Sequence, residues 1–109
     1  MMLGSSLAAD VPDFAWVVSA GGGKHDKTRG ITVDEKGCAY ITGEFSGESK
    51  FGEHTIKSAG DMDCFVAKLD PNGKILWART GGGSLVDRGY GVAEDAQGSV
   101  YATGNYQSA

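Results

Sequence analysis

DEKGCAYITGEF, residues 34 to 45, returns as DAQGSVYATGNY, residues 95 to 106, sixty-one positions later. Extended outward, the match aligns residues 14 to 45 with 75 to 106 without a gap, and ten of the 32 pairs are identical. These are Trp16 and Trp77, Gly21 and Gly82, Gly22 and Gly83, Asp26 and Asp87, Gly30 and Gly91, Asp34 and Asp95, Gly37 and Gly98, Tyr40 and Tyr101, Thr42 and Thr103, and Gly43 and Gly104. Self-similarity at a fixed period marks a repeat architecture in which each copy is one structural unit. The shared residues are turn and packing types, so the repeat describes a scaffold before it describes any chemistry.

Three stretches, DEKG, DAQG and DPNG (70 to 73), have the form Asp-x-x-Gly between apolar runs. In that form the Asp side chain caps a type I turn and the Gly takes the left-handed position that closes a bulged hairpin. An EF-hand would need further oxygen ligands at alternate positions and a distal Glu, and none follows. The runs between turns are rich in β-branched and aromatic residues: 14 to 20, 30 to 34, 38 to 45, 64 to 70, 75 to 80, 91 to 95 and 99 to 106. Seven strands and no helix are expected. In residues 38 to 45, Ala39, Ile41 and Phe45 alternate with Cys38, Tyr40 and Thr42, so neither face is made for water and a sheet covered on both sides is implied.

Composition agrees with short strands and tight turns. Gly makes up 18 of 109 residues, about 17% against an average near 7%, while 40% hydrophobic content argues against disorder. The length allows one domain with a modest core. A net charge of −4 provides no basic stripe for nucleic acid or an anionic membrane surface. No apolar run approaches the roughly 18 residues of a membrane span, and a soluble protein is expected. The opening MMLGSSLAAD lacks the basic and long apolar regions of a secretory signal, so residues 1 to 13 read as linker or vector-derived sequence, with a signal remnant as the alternative.

The two Gly-Gly-Gly stretches run into strands, without the helix N-terminus that a phosphate-binding loop needs, and read as crossings between adjacent sheets. His25 and His54 stand in unrelated contexts outside any nucleophile motif, and read as surface histidines. Cys38 and Cys64 have no metal-ligand spacing and read as small buried thiols. No catalytic, metal or cofactor site is expected.

The stretch DCFVAKLDPNGKILWARTGGGSLVDRGYGVAEDAQGSVYATGNY resembles the bacterial SBBP beta-propeller repeat, with its D-x-F-V-A-K-L-D strand, D-x-x-G turn, L-W-A strand, Gly-Gly loop and G-x-V-Y-x-T-G strand. Residues 42 to 70 are similar to the connecting part, with Phe51-Gly52 and Ser58-Ala59-Gly60. Departures are Cys38 and Ser99, where the family often has Asn, and Glu94 in place of an apolar residue. The resemblance implies an all-β propeller of four-stranded antiparallel blades, found in secreted or cell-surface bacterial proteins and without shared catalytic chemistry. On that plan residues 14 to 28 are the outermost strand of a preceding blade with its Gly-rich loop, 29 to 80 a complete blade, and 81 to 109 a second Gly-rich loop and the first half of the next blade. Residues 30 to 34 would be innermost, with Thr32 and Glu94 facing the central channel. Trp16 and Trp77 would pack between blades, and a fully buried Trp77 would cost about 3 to 5 kcal/mol on truncation to Ala.

A chain with one whole blade and parts of two others exposes sheet edges and faces. One expectation is therefore a head-to-tail ring of identical chains, and the other a part of a longer propeller. CFVAKLD has no second copy, so a shared blade would be one strand short unless another segment takes the place. The favoured function is a non-catalytic structural or interaction scaffold. The alternative is a glycan- or peptide-binding module using the loop between the second and third strands, through Glu48, Lys50, Glu53, His54 and Lys57, with Asp61 and Asp63 nearby.

Overall fold

The computed structural model describes residues 2–6 and 13–107, and among them there are strands and no helix. In chain order the strands are β1 (Met2–Ser6), β2 (Asp13–Val18), β3 (Gly21–Gly22), β4 (Asp26–Val33), β5 (Ala39–Phe45), β6 (Glu48–Phe51), β7 (His54–Lys57), β8 (Asp63–Leu69), β9 (Ile75–Gly81), β10 (Asp87–Glu94) and β11 (Val100–Tyr106). Every pairing between strands is antiparallel. The largest sheet has the order β4-β5-β8-β9, and β1-β2, β3-β6-β7 and β10-β11 form the others.

The three Asp-x-x-Gly turns are built alike. Asp34 Oδ1 accepts the amides of Lys36 and Cys38 at 2.9 Å, Asp70 Oδ1 those of Asn72 and Lys74 at 2.8 and 2.9 Å, and Asp95 Oδ1 those of Gln97 and Ser99 at 3.0 and 2.9 Å. Gly37, Gly73 and Gly98 take φ of 87°, 88° and 86°, where a Cβ is disfavoured. Each Asp thus satisfies amides that the turn would otherwise leave open.

All seven residues of β5 are buried. Its Ala39, Ile41 and Phe45 join Phe65, Ala67 and Leu69 of β8 and Ile75 and Ala78 of β9 in the core, with Trp16, Val18 and Ala20 packed on the same cluster. Its other face meets β10, where a Cβ on Gly89 would strike Thr42 and Gly43. The four-stranded sheet is therefore covered on both sides, by the segment of Trp16 to Ala20 and by β10.

Four strands lie outside the seven expected. Residues 46 to 63, read as a connecting loop, contain the β6–β7 hairpin. Its two-residue connection has Gly52 at φ 64° followed by a non-glycine without positive φ, the II′ arrangement that suits strand twist. Glycine content and charge obscured a short alternation: Ser49, Phe51 and Ile56 are buried between exposed Glu48, Lys50, Thr55 and Lys57. Phe51 meets Phe65 edge-on with ring centroids 4.7 Å apart, so the hairpin caps the core. Gly21 and Gly22 extend this sheet by pairing with Lys50 and Ser49. Met2–Ser6, in the stretch read as linker, pairs with β2; the rest of residues 1 to 12 lie outside the described residues.

The two tryptophans differ in surroundings. Trp16 Nε1 donates to the Pro71 carbonyl at 2.9 Å, and the ring lies against Gly73. Trp77 is only half-buried, with the Arg79 guanidinium 5.9 Å from its ring centre. Trp77→Ala is accordingly expected to cost about 1–2 kcal/mol in a single chain, below the full-burial value, as read by urea unfolding of dilute protein.

Candidate functional site

The recurring residues brace the turns and crossings of each copy in the same way. Asp26 and Asp87 clasp the Gly-rich crossings: Asp26 Oδ2 accepts the Gly22 amide and Asp87 Oδ2 the Gly83 amide, both at 2.9 Å. The remaining oxygen of Asp26 takes the Ser49 hydroxyl, and that of Asp87 takes the Gln107 amide at 2.9 Å. Tyr40 and Tyr101 donate their hydroxyls to Oδ2 of Asp34 and Asp95, each at 3.0 Å. At Asp34 burial opposes ionisation, but the Cys38 and Lys36 amides and the Tyr40 hydroxyl outweigh it and hold the carboxyl below its ordinary value. At Asp95 the Ser99 amide is the main cause of the same lowering.

Between the first and second of these repeated turns, DEKG and DAQG, opens a cleft of about 370 Å³, lined among others by Asp34, Lys36, Tyr40, Lys68, Glu94 and Asp95. The Lys68 ammonium lies 5.2 Å from the Tyr40 ring centre. Glu94 thus borders this cleft, and Cys38 shares its wall.

A second cluster lies where β5 meets β10. Glu44 is 1% exposed, and Arg29 grips it with Nε to Oε2 at 2.5 Å and Nη2 to Oε1 at 2.6 Å. Arg88 Nε and His25 Nε2 approach Oε1 at 3.7 and 3.5 Å. Burial pushes the Glu44 carboxyl up, and Arg29, then His25 and Arg88, outweigh it, so the group ionises below its ordinary value. Arg29 also lies over the Tyr90 ring at 5.0 Å, which ties β4 to β10. No sequence motif points to this cluster. Its signal was a charged residue in a strand with no face for water, at the position that the second copy fills with Asn105.

A third feature is Asp63, 2% exposed, whose Oδ2 accepts the Ala59 amide at 2.8 Å while Oδ1 has no partner. A Cβ on Gly82 would lie 2.6 Å from that oxygen and 2.8 Å from Oδ2 of Asp87, which is 0% exposed, so two buried carboxylates face the same glycine. An unsatisfied buried acceptor is destabilising. Asp63→Asn keeps the Ala59 bond and adds a donor toward Asp87; it is expected to raise stability at pH 7 by about 1–2 kcal/mol, read by thermal unfolding.

Of the residues proposed from sequence as a binding loop, Glu48, Lys50 and Lys57 share the exposed face of the β6–β7 hairpin, and Glu53 and His54 lie at its turn. Glu48 and Lys57 pair with each other across β6 and β7 at 3.4 Å on an exposed face. Glu53 occupies the hairpin turn, and Lys50 borders a different, open depression with Gly21 and Gly22. His54 is half-buried rather than at the surface, with Nε2 3.2 Å from the Ile75 carbonyl oxygen. Cys38 and Cys64 are unpaired; Cys64 Sγ donates to the Gly81 carbonyl at 3.0 Å, and burial pushes its thiol up. Among the described residues no three His, Cys, Asp or Glu gather as a metal site, and no helix is long and apolar enough to cross a membrane. Neither a family model, nor a curated protein, nor a solved structure matches the chain.

Proposed function

We propose that this chain is a non-catalytic β-propeller repeat module, a scaffold whose sheets stack blade upon blade and which associates with copies of itself. The observation that carries this reading is the difference in burial between the two copies. β5 is buried along its whole length, whereas its counterpart β11 is exposed from Tyr101 to Tyr106, with Tyr101 58% and Tyr106 61% accessible. The same holds at the other end of the stack, where Val17 is 55% exposed and its counterpart Ala78 is 7% exposed. Identical backbone phrases are thus sheltered in one copy and open in the other, on opposite sides of the complete sheet. Apolar faces that a repeat buries in one copy are the surfaces that neighbouring repeats cover.

The order of layers supports the propeller form. The segment from Trp16 to Ala20, the four-stranded sheet and the β10–β11 hairpin follow one another in sequence and in space, as radially arranged blades do. A head-to-tail contact between identical chains is heterologous, and closes into a ring when the rotation per copy allows. Light scattering on a size-exclusion column over a hundredfold range of concentration tests the reading. A discrete multimer of constant mass is expected. A folded monomer throughout would rule out self-association.

The alternative of a ligand-binding module has the cleft between the DEKG and DAQG turns in its favour. Its walls offer carboxylates, two lysines and a tyrosine, a set suited to polyhydroxyl or peptide ligands.

A further inference from the structure

Pairing in β1–β2 repeats the pairing in β8–β9. In β8–β9, Val66 faces Arg79, Ala67 faces Ala78, Lys68 faces Trp77 and Leu69 faces Ile75, with Leu76 left out as a bulge. In β1–β2, Met2 faces Val18, Leu3 faces Val17, Gly4 faces Trp16 and Ser5 faces Phe14, with Ala15 left out. Subtracting the repeat of sixty-one turns Arg79, Ala78, Trp77, Ile75 and Leu76 into Val18, Val17, Trp16, Phe14 and Ala15. Register and bulge therefore coincide residue by residue, although MLGSS shares nothing in sequence with VAKLD. β1 stands where a third blade strand belongs and β2 where the fourth belongs.

Meanwhile β10 and β11 pair as β4 and β5 do, with the register shift at Gly89/Gly91 matching that at Thr28/Gly30. In the complete sheet β5 gives its second edge to β8, whereas among the described residues β11 pairs only with β10. The chain carries a first-and-second-strand half and a third-and-fourth-strand half, separated by a whole sheet.

We infer that the open edge of β11 is a docking site for β1 of a second copy of this chain, in a fixed antiparallel register that completes a shared four-stranded blade from two strands of each partner. Transferring the β5–β8 register places Val100 opposite Ser5, Tyr101 opposite Gly4, Ala102 opposite Leu3 and Thr103 opposite Met2 of the other copy. β1 then stands against β11 as β8 stands against β5. This inference rests on the self-association proposed above and adds its edge, its partner strand and its register.

Disulfide trapping tests the register. Residues directly opposite in an antiparallel pair have Cα atoms about 4.5–5.5 Å apart, inside the range of roughly 4.4–6.8 Å that a disulfide spans, and a one-residue slip turns the side chains to opposite faces. In full-length protein carrying Cys38→Ser and Cys64→Ser, Leu3→Cys with Ala102→Cys should oxidise to chains covalently linked to each other on a non-reducing gel. Leu3→Cys with Thr103→Cys should yield at least tenfold less. Protection of β11 amides from hydrogen exchange in the unsubstituted protein, lost on dilution, is the companion measurement that needs no variant. A multimer whose β11 amides stay unprotected, or which crosslinks in the slipped pair or within one chain, would overturn the inference and leave self-association standing. A monomer by light scattering would remove both.

Discussion

Gly43→Ala should be among the most damaging single substitutions in this protein, lowering stability by at least about 4 kcal/mol, a large share of what a small domain has. Gly43 lies in the fully buried β5, where the β4–β5 register shifts between Thr28 and Gly30. A Cβ at Gly43 would overlap the Lys27 carbonyl oxygen and sit 2.9 Å from Thr28 Cα. Both obstacles are backbone, so relief requires parting two strands that hold the core, not turning a side chain. The conformational change at a turn glycine such as Gly37 is milder, about 1–2 kcal/mol, because the strain stays local. Gly104→Ala meets the same overlap with Arg88 but in the exposed hairpin, so it should spare the core and weaken assembly. Urea midpoints for Gly43→Ala, Gly37→Ala and Gly104→Ala check the ranking; a Gly43→Ala protein as stable as the parent would show that the bulge is not obligatory.

Arg29→Met should lower the melting midpoint by on the order of 10 °C at pH 7, and the deficit should shrink as pH falls below the ordinary carboxylate range. Removing the guanidinium leaves the Glu44 carboxylate 1% exposed, with only the longer approaches of Arg88 and His25 to offset its burial. Glu44 ionises below its ordinary value in the folded chain, so it contributes stability above the unfolded-state pKa, and that contribution disappears as pH falls through the lower folded value. Without Arg29 the desolvation that now acts to raise the carboxyl is no longer overcome, and the stabilisation at neutral pH is lost. Below the folded value Glu44 is protonated in parent and variant alike, and the two should converge. Thermal melts from pH 3 to pH 7 give the test, and a deficit that stays constant with pH would mean that Arg29 acts through its packing over Tyr90 instead.

The local structure was legible because turns and strands are short-range matters. An Asp side chain reaching amides two and four residues ahead, and a glycine permitted at positive φ, are decided within five residues, and the three Asp-x-x-Gly turns could be placed from the chain alone. The β6–β7 hairpin was hidden because only Ser49, Phe51 and Ile56 alternate against charges, too short a period to stand out from a solvated connector. Asp63 was unmarked, since a carboxylate has the same letter whether a guanidinium grips it, as Arg29 grips Glu44, or one of its oxygens has no partner.

Sequence by itself determined the repeat of sixty-one residues, the all-β character and the alternation that leaves β5 no face for water, because periodicity and turn chemistry are written in residue order. Only the tertiary structure decided that MLGSS takes the pairing register of VAKLD, with the bulge at the same place. Strand pairing is made by backbone amides and carbonyls that every residue carries, so two segments with no side chains in common can hold the same position in a sheet.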